Sequence, residues 1–316
     1  MEYVKLNNGV EMPQLGLGTF LIPKDRLSAT IAKAYELGYR KFDTAWRYYN
    51  EADIAKALKD NGIRREDVFI TTKINADALY FGGMKIGKKG LFNIRNFKSI
   101  KSVIMESFHN LNTDYIDLFL VHWPWPIPLA QKMYAEMTDM YRQGMFKSIG
   151  VCSSLPPHLD AFKEVSDVIP AVNQFEISPL NTQKNLIKYN QERGTVCEAM
   201  STFSHFRSNE ARKEIVENDT IRPIAEKYNK SIPQVILRWL LQQGISLIPK
   251  TWEEKHLAEN IDIFDFELTP EEMATIDSLD QGRFLNYHPD DTLTKPWYTR
   301  FGNTPKKYQG WKGYTD

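Results

Sequence analysis

Eight short apolar segments, each followed by a stretch whose apolar residues recur at helical intervals, constrain what this chain can fold into more than any single motif does. The strand candidates are Gln14 to Thr19, Lys41 to Asp43, Val68 to Thr72, Ile116 to His122, Ser148 to Cys152, Ala171 to Glu176, Thr195 to Ala199 and Ile245 to Pro249. Between them, Leu27, Ile31, Ala34 and Gly38 mark one helical stripe and Ile54, Ala55 and Leu58 another. A third, Val235, Ile236, Trp239 and Leu240, follows a Ser231 N-cap and a first-turn proline at 233. Strands that alternate with helices pair in parallel, because a parallel neighbour can be reached only through a crossover. Eight such units within about 250 residues predict a closed (β/α)8 barrel rather than an open doubly wound sheet.

Three stretches lie outside the repeat. Tyr3 to Leu6 and Val10 to Met12 flank Asn8-Gly9, which predicts an N-terminal hairpin with a two-residue turn. From Asn75 to about Asn96 the chain runs far beyond the roughly 2 to 6 residues of a usual strand-to-helix connection, which predicts a structured loop over one barrel end. The segment from Gln281 to Asp316 carries Phe284, Tyr287, Trp297, Tyr298, Phe301, Tyr308, Trp311 and Tyr314 without helical or strand period, so it should wrap onto the barrel. The division expected is therefore one domain over 1–316: hairpin 1–13, barrel 14–280 and tail 281–316.

Charge narrows the partners. Lys plus Arg and Asp plus Glu both number 40, so no global field attracts nucleic acid or anionic lipid. The first sixteen residues lack the apolar core of a signal peptide, and no run approaches the ~18 apolar residues of a membrane span. Cys152 and Cys197 are too few for a disulfide framework, and the six histidines lack i, i+4 pairing. The expectation is a cytoplasmic protein, a monomer acting on a small molecule, with no metal.

In a (β/α)8 barrel the chemistry sits at the C-terminal ends of the strands. The second candidate strand ends in KFDTAWRYYNE, with Asp43 at its edge and Tyr48 just beyond; the third ends in FITTKIN with Lys73; the fourth ends in DLFLVHWPWP with His122. Together they suit proton transfer to a carbonyl oxygen while hydride reaches its carbon. A phenol of pKa about 10 is a poor acid, and a neighbouring ammonium should lower that value. Lys73 supplies the ammonium in this reading, Asp43 holds it, and His122 donates a hydrogen bond to the carbonyl oxygen. Any one of these residues alone is as readily a cap, a solvated lysine or a packing histidine; four compatible roles at neighbouring strand ends are not.

At these residues the chain resembles the aldo-keto reductase superfamily. The likeness runs from GLGTF at Gly16 to KHLAENIDIFDFELTPEEMATID, through DTAWRYYNE, FITTK, DLFLVHWP, IGV at Ile149, PAVNQFE at Pro170 and IPKT at Ile248. It implies an NAD(P)H-dependent oxidoreductase with Asp43, Tyr48, Lys73 and His122 as its catalytic tetrad and Tyr48 as general acid. NADP(H) is implied in preference to NAD(H), since Lys250 offers a point charge to a 2′-phosphate. By likeness Gly18, Thr19 and Asp43 lie near the cofactor, Gln174 with Ser153 meets the nicotinamide carboxamide, and Met200 takes the place of the usual stacking ring. Ser201 and Phe203 belong to the pyrophosphate loop, Lys250, Thr251 and His256 to the 2′-phosphate, and Glu259 and Asn260 to the adenosine.

The chain departs from the family at several of these positions. Cys152-Ser153 stands for the usual Ser-Asn, Met200 for an aromatic, and His256 for an arginine, which loses the guanidinium fork. Ser201-Thr202-Phe203-Ser204 replaces Ser-Pro-Leu-Gly, with Arg207 as a substitute anion contact. Phe20, Trp46, Tyr48, His122 and Trp123 should face the substrate, with Tyr80, Phe81 and Trp125 adding to an apolar wall. The changed nicotinamide contacts keep open a cofactor sensor with little turnover, and the unknown pocket keeps open a redox-neutral epimerase or isomerase that uses bound NADP.

Overall fold

The computed structural model describes residues 2–75, 99–124, 126–203 and 209–285. Two strands, β1 (Tyr3–Lys5) and β2 (Glu11–Pro13), form an antiparallel hairpin. Eight more follow in the order predicted: β3 (Leu17–Gly18), β4 (Lys41–Asp43), β5 (Phe69–Ile74), β6 (Ile116–Val121), β7 (Phe146–Cys152), β8 (Val172–Glu176), β9 (Val196–Met200) and β10 (Ser246–Leu247). Each pairs in parallel with the next, giving an eight-stranded sheet in sequence order. Helices alternate with the strands and pack outside them, burying Leu27, Ile31 and Ala34 from one and Val235, Ile236, Trp239 and Leu240 from another. The predicted Ser231 cap forms as a capping box, its Oγ accepting from Gln234 N while Gln234 Oε1 accepts from Ser231 N at 2.9 Å.

The sheet curls until its first and last strands meet, and it is in this seam that the predicted strand limits fail. Leu247 N donates to Gln14 O at 2.7 Å, Gly16 N to Leu247 O at 2.8 Å and Gly18 N to Pro249 O at 3.2 Å. Only Leu17–Gly18 and Ser246–Leu247 of the two predicted runs are regular strand, because the seam is short and Pro249 has no N–H to extend it. The seam also explains Gly18: a Cβ there would stand 2.8 Å from Ile248 O. Its absence permits the close approach. At the other extreme β7 begins two residues earlier than predicted, since Phe146 pairs with Ile116.

The hairpin turn also differs. Leu6 N donates to Val10 O and Gly9 N to Leu6 O, with Gly9 at φ +89°, so three residues make the turn and glycine closes it in the left-handed region. Two side chains of this hairpin, Leu6 and Met12, pack with Phe69, Leu118, Leu120, Cys152, Ala171 and Val172, and Asn8 Nδ2 donates to Lys147 O at 2.8 Å. The hairpin thereby plugs the end of the barrel opposite the catalytic candidates. Met12 is fully buried. Met12→Ala should therefore lower unfolding free energy by about 2–5 kcal/mol in urea denaturation while leaving cofactor affinity unchanged.

Among the described residues no helix is long and apolar enough to cross a membrane. The loop predicted from Asn75 to Asn96, and with it Tyr80 and Phe81, lies almost wholly outside the described residues, as do Trp125, Ser204, Arg207 and the tail beyond Leu285. The first tail residues fold back over the end of β8, with Gln281 N and Arg283 N both donating to Leu180 O and Leu285 N to Glu176 Oε1 at 2.6 Å.

Candidate active site

Alternation along β4 sends Lys41 and Asp43 into the barrel and Phe42 outward to the helices. Asp43, at the open end, meets Lys73 from β5. The Lys73 ammonium donates to Asp43 Oδ1 at 2.6 Å, Asp43 Oδ2 at 2.7 Å and Thr44 O at 2.8 Å, with both side chains buried. The 3-10 turn Trp46–Tyr48 follows directly and swings Tyr48 back over the lysine, whose Nζ lies 5.2 Å from the phenol ring centroid. His122, just past β6, presents its ring edge-on to Tyr48 at 5.7 Å, anchored by His122 N donating to Ile74 O at 2.8 Å. The four residues predicted from strand ends thus meet at one rim.

Their electrostatics differ from expectation in one respect. Burial raises the Tyr48 pKa to about 12; the Lys73 charge acts to lower it, as predicted, but is the smaller influence. Burial likewise opposes the Lys73 ammonium, yet Asp43 and the other groups around it carry the lysine above its ordinary value. His122 is held well below the usual histidine range by burial, then by the charges of Lys73 and Arg47. It is a neutral imidazole at physiological pH, able to donate one hydrogen bond and accept one. Its Nδ1 is buried with no hydrogen-bond partner among the described residues.

The expected substrate residues are unequal. Phe20 packs on Tyr48 at 4.6 Å between ring centroids and Trp123 stacks with His122 at 6.3 Å, so both border the rim. Trp46 is 9% exposed and its indole N–H donates to Glu106 Oε2 at 3.1 Å, which leaves little of it to line an open wall.

Beneath the tetrad lies a polar layer of which sequence reasoning singled out Gln174 but not Lys41, Glu198 or Ser246. Cys152, Gln174, Glu198 and Ser246 are register partners across β7 to β10. Gln174 Nε2 donates to Asp43 Oδ2 and to Glu198 Oε1, each at 2.9 Å. Lys41 reaches across from β4 to donate to Glu198 Oε2 at 2.6 Å and to Ser246 Oγ at 2.5 Å, and Ser246 donates to Glu198 Oε2 at 2.8 Å. Its stem crosses Gly16, where a Cβ would stand 2.5 Å from Lys41 Cε. Burial alone would raise Glu198, but the Lys41 charge and the hydrogen bonds from Lys41, Gln174 and Ser246 bring its carboxyl below the ordinary value. The available signal was a lysine and a glutamate inside apolar strand runs, KFD and VCEAM, where a charge needs a partner.

A second group of predicted residues surrounds the same end of the barrel. Ser153 and Ser201, just past β7 and β9, have φ of +47° and +56°, a region where non-glycine residues concentrate at functional loops. Ser153 N donates to Gln174 O at 2.8 Å, and Thr19 Oγ1 donates to Asp43 O at 2.8 Å. Met200 and Phe203 are half-buried. Past β10, Lys250 is exposed with its Nζ 4.7 Å from the Trp252 ring centroid, while Thr251 is buried and its Oγ1 accepts from Glu253 N at 3.1 Å. On helix Glu254–Ile261, His256 is exposed, Glu259 pairs with Lys255 at 3.6 Å and Asn260 is 7% exposed.

The model of the Aldo/keto reductase family matches residues 14–281. The chain belongs to this family. It is an oxidoreductase, and relatives of similar length share about a third of its sequence. It is 35% identical over 288 residues to the methylglyoxal reductase of Escherichia coli, covering 91% of this chain and 96% of that one. It is 36% identical over 292 residues to the glyoxal reductase of Bacillus subtilis, covering 92% and 97%. The solved aldo-keto reductase of Bombyx mori, in complex with NADP, superposes with a TM-score of 0.77 at 29% identity, covering 90% of this chain and 95% of that one. Among the described residues no group of three or more His, Cys, Asp or Glu side chains is arranged to hold a metal ion.

Proposed function

We propose that this aldo/keto reductase reduces an aldehyde or ketone to an alcohol, or runs the reverse reaction, with Tyr48 as general acid and base and NADP(H) preferred to NAD(H). The observation that carries the reading is the meeting of Tyr48, Lys73 and His122 at one rim, above an Asp43 that fixes Lys73. Tyr48 holds its proton at neutral pH, since burial keeps its pKa at about 12, and so has one to give to an incoming carbonyl oxygen. Neutral His122 donates a hydrogen bond that orients that oxygen, and Lys73 stabilises the phenolate left behind. Phe20 and Trp123 exclude water from one side of the site.

The residues present fit the nucleotide. Gln174 and Ser153 would hold the carboxamide, Met200 would lie on the nicotinamide face, and Ser201 and Phe203 would border the pyrophosphate. Gly18, held in the seam, and Thr19, bonded to Asp43 O, would border the nicotinamide end. Lys250, Thr251 and His256 would take the 2′-phosphate, and Glu259 and Asn260 the adenosine. When bound, NADP(H) supplies or accepts the hydride. Relatives named for glyoxal and methylglyoxal make small 2-oxoaldehydes the first substrates to offer. We read the chain as one cytoplasmic domain, with 1–13, 14–280 and 281–316 as its parts.

Fluorescence titration with NADPH and NADH, followed by 2-oxoaldehydes, ketosteroids and sugars under the absorbance of the reduced nicotinamide, tests the reading. NADPH oxidation on a carbonyl supports it, and binding without turnover on any of them overturns it in favour of a sensor. Lys250→Met should weaken NADPH binding about ten- to hundredfold, the worth of a charged phosphate contact, and leave NADH binding unchanged. Equal loss for both nucleotides would remove Lys250 from the phosphate.

A further inference from the structure

We propose that Glu198, charge-balanced by Lys41, is a positioning residue that locks the Gln174 side chain so that it can meet the nicotinamide only as a hydrogen-bond acceptor. The inference rests on the cofactor reading above and adds a residue and a direction to it.

A primary amide nitrogen carries two hydrogens and its oxygen carries none. Gln174 Nε2 stands 2.9 Å from Asp43 Oδ2 and 2.9 Å from Glu198 Oε1, so each hydrogen has a carboxylate oxygen to itself. Rotating the amide by half a turn would set its carbonyl oxygen against the same two carboxylate oxygens, three lone-pair-bearing oxygens without a proton between them. That arrangement is excluded while both carboxylates are anionic, so the orientation follows from the chemistry of the neighbours. What remains of Gln174 is Oε1, approached by the Cys152 thiol at 3.9 Å, a weak donor that a better one can displace.

Lys41 and Ser246 make the lock durable. A lone carboxylate at the position of Glu198, fully buried, would be driven to protonate, and a protonated Glu198 could itself donate to Gln174 and release the lock. The ammonium of Lys41 at 2.6 Å and the hydroxyl of Ser246 at 2.8 Å hold the charge on Oε2 and leave Oε1 for Gln174. Asp43, already committed to Lys73, supplies the second acceptor. The carboxamide of the cofactor then has one way to meet Gln174, with its NH2 toward Oε1, which fixes the rotation of that group about its bond to the ring.

The test compares binding of NADP+ with binding of its 3-acetylpyridine analogue, in which the carboxamide NH2 is a methyl group, by quenching of tryptophan fluorescence. The wild-type chain should prefer NADP+ by about tenfold or more, since the analogue leaves Oε1 facing a methyl. In Lys41→Met/Glu198→Leu one Gln174 hydrogen loses its acceptor and Asp43 alone orients the amide, so the turned form that donates to the acetyl oxygen becomes accessible and the preference should shrink to about twofold. Lys41→Met/Glu198→Gln places at 198 an amide that can donate as well as accept, so it releases the lock as a protonated Glu198 would and should lower the preference in the same way. A role in packing alone would alter thermal stability without altering this ratio. The proposal is overturned if the wild type binds both nucleotides equally, a result that needs no variant to fold, or if all three chains share one ratio. It is equally overturned if the glutamine variant keeps the wild-type preference. A wild-type chain that binds neither nucleotide overturns the cofactor reading itself, and is distinguished from binding without discrimination.

Discussion

Tyr48→Phe should lower turnover by about 10²–10⁴-fold while NADPH affinity and thermal stability stay at wild-type values. The substitution removes one oxygen from a half-buried ring that packs on Phe20 and faces His122, so the apolar contacts persist. What is lost is the proton that a reduced carbonyl oxygen must receive. Neutral His122 cannot replace it efficiently, because giving up its single N–H proton would leave an imidazolate. The pH dependence follows the same logic. Tyr48 loses its proton only as pH rises through a pKa of about 12, and His122, held well below its usual range, stays neutral through physiological pH. Reduction by the wild type should therefore be nearly flat through neutrality. A variant that retains more than about a tenth of wild-type turnover would remove Tyr48 from the chemistry.

Lys73→Met should cost about 3–5 kcal/mol of unfolding free energy as well as turnover, because it leaves Asp43 buried at 2% exposure with no counter-charge. The ammonium makes three short hydrogen bonds, two to Asp43 and one to Thr44 O, and methionine makes none. Tyr48 would lose at the same time the main neighbour favouring its phenolate, so giving its proton to the carbonyl oxygen becomes harder. Asp43→Asn/Lys73→Met should recover most of the stability and none of the turnover, since an amide needs no counter-charge. Urea denaturation of the three chains beside steady-state rates separates the two effects. A Lys73→Met chain as stable as wild type would show that Asp43 is not ionised in the folded protein.

The barrel and its rim were readable because the signals are local. Apolar runs of strand length alternate with helical stripes, and a strand-end position such as Asp43, Lys73 or His122 can be located by counting along one segment. Ser231 and Gln234 formed their cap for the same reason, four adjacent residues acting together. Even the hairpin was placed correctly, although Gly9 turned it in three residues where Asn8-Gly9 suggested two.

What the sequence by itself determined, then, is whatever depends on neighbours along the chain: the number and order of the units, their parallel sense, and the strand ends at which Asp43, Lys73 and His122 stand. Tertiary structure decided what depends on strands distant in sequence. Gly18 is needed because the closing seam brings Ile248 O to where its side chain would be, and Lys41 can be buried because Glu198, 157 positions away, meets it. The Tyr48 proton is held by burial more strongly than Lys73 loosens it, a balance of desolvation against charge that exists only once the barrel has closed around both.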